Sequence, residues 1–239
     1  LYVLNTSIDN ISVIEVATLK EVKRLSASRS PWSLALSPDG KSIVVTHALS
    51  RFVKDRTPAM SELTVIDTDR AVVADRVVVP AANLMQGVAW HPGGDYALFT
   101  LLRTKDLVPM TRINHGWTIS NGLGILWRDG TVDQVLLDQN NLCFPDPTDV
   151  CITPDGKFAF VTSSSTERVA VVDLNKLVAM LKAATPRERQ RVIPNHTGKP
   201  SEYVVKHIAT PTAPRGIACS ADGQTAYVAS MLDDSVTVI

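Results

Sequence analysis

Apolar residues recur along the chain in short alternating runs, each closed by a turn-forming cluster. SLALSPDGKSIVVTH at 33–47, GVAWHPGGDYALFTL at 87–101, DVCITPDGKFAFVTS at 149–163 and GIACSADGQTAYVAS at 216–230 share one grammar: an apolar segment, a turn on Pro-Asp-Gly or a near variant, and a second apolar segment. The turn glycines Gly40, Gly94, Gly156 and Gly223 accept positive φ, and Asp39, Asp155 and Asp222 can bond the turn backbone. Each copy therefore predicts a β-hairpin. A third strand-like run follows in ELTVIDTD (62–69), GLGILWRD (122–129) and RVAVVDLN (168–175). A fourth follows in AVVADRVVV (71–79), TVDQVLL (131–137) and SEYVVKHIA (201–209). The repeating unit is a four-stranded antiparallel meander.

Landmarks Pro38, Pro92, Pro154 and Ala221 are spaced by 54, 62 and 67 residues. A minimal propeller blade takes roughly 40–50 residues, so insertions lie between them. Small sheets of this kind bury both faces by packing radially as a β-propeller. LYVLNTSIDNISVI at 1–14 aligns without a gap on AYVASMLDDSVTVI at 226–239, so the chain begins and ends at one phase of the repeat. The expected architecture is all-β: a β-propeller arc of about four blades' worth of four-stranded sheets with one helical insertion. Its divisions are a partial blade at 1–30, blades at 31–83, 84–145 and 146–212, and a partial blade at 213–239, a segment of a longer ring truncated at both ends.

The pattern xxPDGKxxxVT followed by VxVID resembles the YVTN-type β-propeller repeat. That resemblance implies a ring usually of seven blades, commonly in secreted or periplasmic proteins, and hence a periplasmic or extracellular location. The group includes surface-layer and binding proteins, propellers joined to cytochrome c domains, lactonase-like enzymes and the haem d1 domain of a nitrite reductase. Fold alone does not choose among these functions.

Composition narrows the choice. Lys+Arg and Asp+Glu are equal at 24 each, and no long basic run occurs, so the footprint of a nucleic-acid binder is missing. No apolar run approaches the roughly 18 residues of a transmembrane segment. Cys143, Cys151 and Cys219 form neither CxxC nor CxxCH, leaving no signature for zinc or covalent haem in this segment. Cys143 and Cys151 could close a small disulfide loop, although two reduced, packed thiols are the favoured reading, since spacing does not reveal geometry.

Candidate chemistry follows from blade polarity. The loop entering the first strand and the loop joining the second to the third share one face of the disc, here called upper, and the Pro-Asp-Gly turns lie on the other. Six residues before each landmark stand Trp32, Gln86, Thr148 and Arg215, followed by Ser33, Gly87, Asp149 and Gly216. Two second-to-third connections are long, at 47–62 and 101–122, and should rise on this upper face. His47 and His115 could approach each other there as metal or haem ligands or as a general base, with Met110 as a haem thioether. Arg103, Arg112 and Arg215 could clamp a carboxylate or phosphate, with Asp149 as counter-charge or base. Trp32 and Trp117 could stack on a ring. The 173–191 insertion reads as a helix on the opposite face, with Asp173 as N-cap, a stripe of Leu174, Leu177, Val178 and Leu181, and Pro186 near its end.

The sequence holds no Ser-His-Asp order, paired-carboxylate motif or phosphate loop. The leading expectation is a non-catalytic binding or interaction module whose upper face takes a small molecule, peptide or partner protein. Next is a redox propeller working with a cytochrome c or haem domain outside the segment. A lactonase-like hydrolase using Asp149, Arg215 and a loop histidine comes third.

Overall fold

Five antiparallel sheets follow one another along the chain. The computed structural model describes residues 1–54, 57–104 and 119–239. The first sheet has β1 (Tyr2–Asn5), β2 (Asn10–Glu15) and β3 (Lys20–Ser26). The second has β4 (Pro31–Leu36), β5 (Ser42–His47), β6 (Met60–Asp67) and β7 (Val72–Pro80) in sequential order. In the third, the innermost strand is split into β8 (Ala82–Asn83) and β9 (Val88–Trp90), both pairing with β10 (Tyr96–Thr104), followed by β11 (Ile119–Trp127) and β12 (Val132–Leu136). The fourth comprises β13 (Pro147–Ile152), β14 (Phe158–Ser163), β15 (Arg168–Asp173) and β16 (Val204–Ala209). The fifth has β17 (Pro214–Cys219), β18 (Ala226–Ser230) and β19 (Ser235–Val238). This is the β-propeller arc that the repeats predict.

Strand alternation divides each sheet's side chains between two neighbours. On β5, Ile43 and Val45 enter the layer shared with the first sheet, whereas Val44 enters the layer shared with the third. On β10, Ala97, Phe99 and Leu101 face the second sheet while Tyr96 and Leu98 face the fourth. A fully buried Leu, Ile, Val or Phe contributes about 1.5–3 kcal/mol, so these layers dominate cohesion between sheets.

The lower-face turns repeat in detail. Ser37 Oγ donates to Asp39 Oδ1 at 2.6 Å, and Lys41 N donates to the same oxygen at 3.1 Å. Thr153, Asp155 and Lys157 reproduce this at 2.7 and 3.0 Å. Gly40 and Gly156 both have φ of +71°, a backbone that a Cβ disfavours. His91 takes the place of the Ser or Thr: its Nδ1 accepts from Gly93 N at 3.1 Å, and its Nε2 lies 3.2 Å from Gly156 O in the next turn.

The insertion forms α1 (Leu174–Ala183), with Asp173 Oδ1 accepting from Lys176 N at 3.0 Å. Leu174, Leu177 and Leu181 are buried in the layer between the third and fourth sheets. Beyond α1 the insertion reaches β12: Arg189 Nε donates to Asp133 Oδ1 at 2.9 Å, and Tyr203 Oη donates to Leu136 O at 2.6 Å. No helix among the described residues is long and apolar enough to cross a membrane.

Two expectations are corrected. The connection drawn from 101 to 122 is shorter, because β10 continues to Thr104 and β11 begins at Ile119, the two remaining paired to their tips. The third sheet also starts before residue 84, since Ala82 and Asn83 pair with Arg103 and Leu102.

Candidate functional site

The innermost strands depart from regular pairing at their upper ends. Register shifts fall between Pro31 and Leu34, between Pro147 and Val150, and between Pro214 and Gly216. In the third sheet residues 84–87 separate β8 from β9. A bulge leaves an N–H without a ladder partner and re-aims the neighbouring side chain. Threonines on the second strands supply the missing partner. Ser33 N donates to Thr46 Oγ1 at 3.3 Å and Asp149 N to Thr162 Oγ1 at 3.0 Å, while Gly87 N is shared between Thr100 Oγ1 at 3.0 Å and Thr148 O of the next sheet at 2.9 Å. Two of these hydroxyls also fasten the next sheet, Thr46 donating to Gln86 O and Thr162 to Arg215 O.

The re-aimed segments converge. Trp32, Ser33, Gln86, Gly87, Thr148, Asp149, Arg215 and Gly216, drawn from four consecutive sheets, line one cavity of about 210 Å³. Gly87 marks a close approach of the third and fourth sheets, since a Cβ there would lie 2.5 Å from Asp149 Cα. Thr148 Oγ1 lies 2.9 Å from Thr162 Oγ1 and donates to Arg215 O at 3.2 Å, closing the wall between the fourth and fifth sheets.

Asp149 spends its carboxylate on the backbone. Oδ1 accepts from Val150 N at 2.9 Å and Oδ2 from Ile217 N at 3.0 Å. Burial raises its pKa above the ordinary carboxylate value, and the two N–H groups oppose that shift. Asp149 is thus a brace across two sheets, and the expected pairing with Arg215 is replaced by these backbone bonds. Arg215 Nη1 instead reaches Met231 Sδ at 3.9 Å. The remaining lining is an exposed indole, a side-chain amide, hydroxyls and one guanidinium, groups that bind by stacking and hydrogen bonding.

Other candidates lie elsewhere. His47, expected at an open edge, is fully buried, with Nε2 3.0 Å from Thr64 Oγ1. Burial and the charge of Arg76 push its pKa down to about 4, so the ring is neutral at pH 7. The physical reason for the difference is local covering: Ala48 N bonds Ser30 O at 2.9 Å and Met85 N bonds His47 O at 3.2 Å, so flanking loops fold over the strand end. Arg103 also points away from the cavity, its Nη1 donating to Gln134 Oε1 at 2.8 Å and its Nε to Asn195 Oδ1 at 3.5 Å. Met110, Arg112, His115 and Trp117 lie outside the described residues.

Among the described residues, no three His, Cys, Asp or Glu side chains are arranged to hold a metal ion. The described candidates do not fit a haem, because His47 is enclosed and already bonded to Thr64.

The threonines were not singled out from sequence, because a Thr within a strand reads as an ordinary β-former. One signal was present: Thr46, Thr100 and Thr162 each stand eight residues after the landmark proline.

Comparison with known proteins agrees with this architecture. A family model described as a YNCE-like β-propeller matches residues 1–143. Hydrazine synthase subunit beta of Kuenenia stuttgartiensis is 26% identical over 234 residues, covering 96% of this chain. The chain spans 58% of that relative's length. The solved hydrazine synthase of Kuenenia stuttgartiensis superposes with a TM-score of 0.75 at 22% identity, covering all of this chain and 79% of its own. The periplasmic gluconolactonase of Pseudomonas aeruginosa superposes at 0.61 with 17% identity, covering 95% of this chain and 59% of its own.

Proposed function

The chain belongs to the YNCE-like β-propeller family, and from that premise we propose that it is a non-catalytic docking module whose upper face seats a partner protein. The observation that carries this reading is the polar cavity at the upper ends of the innermost strands. At about 210 Å³ it falls below the roughly 300–1,000 Å³ of small-molecule sites, and it suits a single anchoring side chain of a larger partner. Trp32, 47% exposed, and Arg215 stand at its mouth, residue types that dominate binding energy at interfaces. The second-to-third connections add exposed apolar groups on the same side: Ile8, Leu49, Phe52, Met231 and Leu232. The name of the Kuenenia stuttgartiensis relative, a subunit of a larger enzyme, supports a role within an assembly. We place the module in the periplasm or outside the cell, the location that the resemblance to secreted and periplasmic propellers implies.

The test is purification of the tagged protein from its source, with partners identified by native mass spectrometry, followed by affinity measurements on Trp32→Ala and Arg215→Ala. Each substitution should weaken the complex by about 10- to 1,000-fold, the range of interface anchors. Unchanged affinity in both variants overturns the reading. So does turnover of a lactone by the isolated protein that Asp149→Asn abolishes, or a Soret band of the purified protein that His115→Ala removes.

A further inference from the structure

One contact between innermost strands recurs from sheet to sheet, and at the last junction both its members are cysteines. The residue three before the landmark on one sheet packs against the residue two before it on the next. Ala35 thus lies under Trp90, whose Nε1 donates to Ala35 O at 3.1 Å. Ala89 and Ile152 stand at the same two positions, and both pack against the core of the following layer. Between the fourth and fifth sheets these positions hold Cys151 and Cys219. Both pack in one cluster with Val169, Ile217 and Val228, on strands that Asp149 Oδ2 ties together by accepting from Ile217 N at 3.0 Å.

Their surroundings differ in a useful way. Cys151 is buried, whereas Cys219 is part-exposed and lines an open cavity of about 330 Å³ with Phe160 and Ile208. Interaction with the neighbouring Cys219 thiol, together with burial, pushes the Cys151 thiol up, while the same interaction draws Cys219 down. The thiol that solvent reaches is the one that ionises first. Cys143 stands apart, its Sγ donating to Asp138 Oδ1 at 3.4 Å.

We propose that Cys151 and Cys219 are an oxidation site that closes a disulfide between the fourth and fifth sheets by exchange with a small disulfide such as oxidised glutathione. The Cys219 thiolate attacks one sulfur of the reagent, forming a mixed disulfide and expelling one glutathione thiolate. The Cys151 thiolate then attacks Cys219 Sγ and expels the second. The protein gives up two protons and two electrons, and the reagent leaves as two thiols. The bond lies two residues from Asp149 and four from Arg215, so it ties together the two sheets that make this wall of the cavity. The site stands independently of the docking role.

The test is to hold the native protein with oxidised glutathione, block free thiols by alkylation, and cleave at aspartates and basic residues, which places each cysteine on its own peptide. Mass spectrometry should find the Cys151 and Cys219 peptides linked, and Cys143 alkylated. Cys151→Ser should trap glutathione on Cys219, and Cys219→Ser should leave Cys151 without an adduct. A wild-type chain that keeps glutathione on Cys219, links Cys143 to Cys151, or returns all three cysteines alkylated overturns the proposal.

Discussion

Replacing Thr162 with valine removes one hydroxyl from a fully buried position and leaves the shape of the side chain almost unchanged. In the native chain this oxygen accepts from Asp149 N at 3.0 Å and donates to Arg215 O at 3.0 Å. The first bond satisfies a donor that the bulge between Pro147 and Val150 takes out of the ladder. Valine cannot replace either bond. A buried polar group stranded without a partner costs about 1–3 kcal/mol, so two partly stranded groups amount to about 2–4 kcal/mol. At about 2–4 °C per kcal/mol for a chain of this size, the thermal midpoint should fall by about 5–15 °C. Thr162→Ser is the control: it keeps the hydroxyl and loses one buried methyl, worth about 1 kcal/mol. Urea denaturation of the three proteins, followed by tryptophan fluorescence, measures the difference. If valine is tolerated as well as serine, the hydroxyl does not hold the fourth and fifth sheets together, and this account of the cavity wall fails.

Other outcomes follow from the same region. Gly87→Ala puts a Cβ against the backbone of Asp149, which cannot rotate away, and should cost about 1–3 kcal/mol or more in urea unfolding while disturbing the cavity; a cost below about 0.5 kcal/mol would contradict the close approach of these strands. Asp149 has a raised carboxyl pKa because of burial, so the folded state binds its proton more tightly than the unfolded chain does. Its protonation therefore adds stability that is complete below the unfolded value and is lost as pH rises through the folded one. Asp149→Asn should lack this component, so the thermal midpoint of wild type relative to the variant should rise as pH is lowered from 7 towards 4. A constant difference across that range would refute the assignment.

The elements legible in the sequence are those governed by local chemistry. Pro-Asp-Gly fixes the turns because Asp39 and Asp155 bond their own turn backbone, and alternation on β5 and β10 reveals which residues enter which layer. Asp173 and the leucine stripe give α1 for the same reason. The position of Trp32, Gln86, Asp149 and Arg215 around one cavity follows from the phase of the repeat. What local chemistry conceals is pairing between distant segments. The bulges appear only when β4, β13 and β17 are laid against their partners, so the threonines' double bonds had no visible need. His47 shows the same limit, because strand phase places it at an edge while loops from residues 30 and 85 enclose it. In sequence Asp149 offers a counter-charge or a base; its bonds to Val150 N and, 68 positions on, Ile217 N make it a brace.

The outer margins of the first three sheets are guarded by two different means. β3 carries Lys20, Glu21, Lys23 and Arg24, and β7 carries Asp75 and Arg76, charges that discourage another strand from adding on. β12 is almost entirely buried, and its one carboxylate is occupied by Arg189 of the insertion. The segment after α1 therefore covers the outer border of β12. Shortening it should uncover Val132–Leu136 as a template for pairing with a second molecule, which would make an insertion that resembles decoration a guard against self-association.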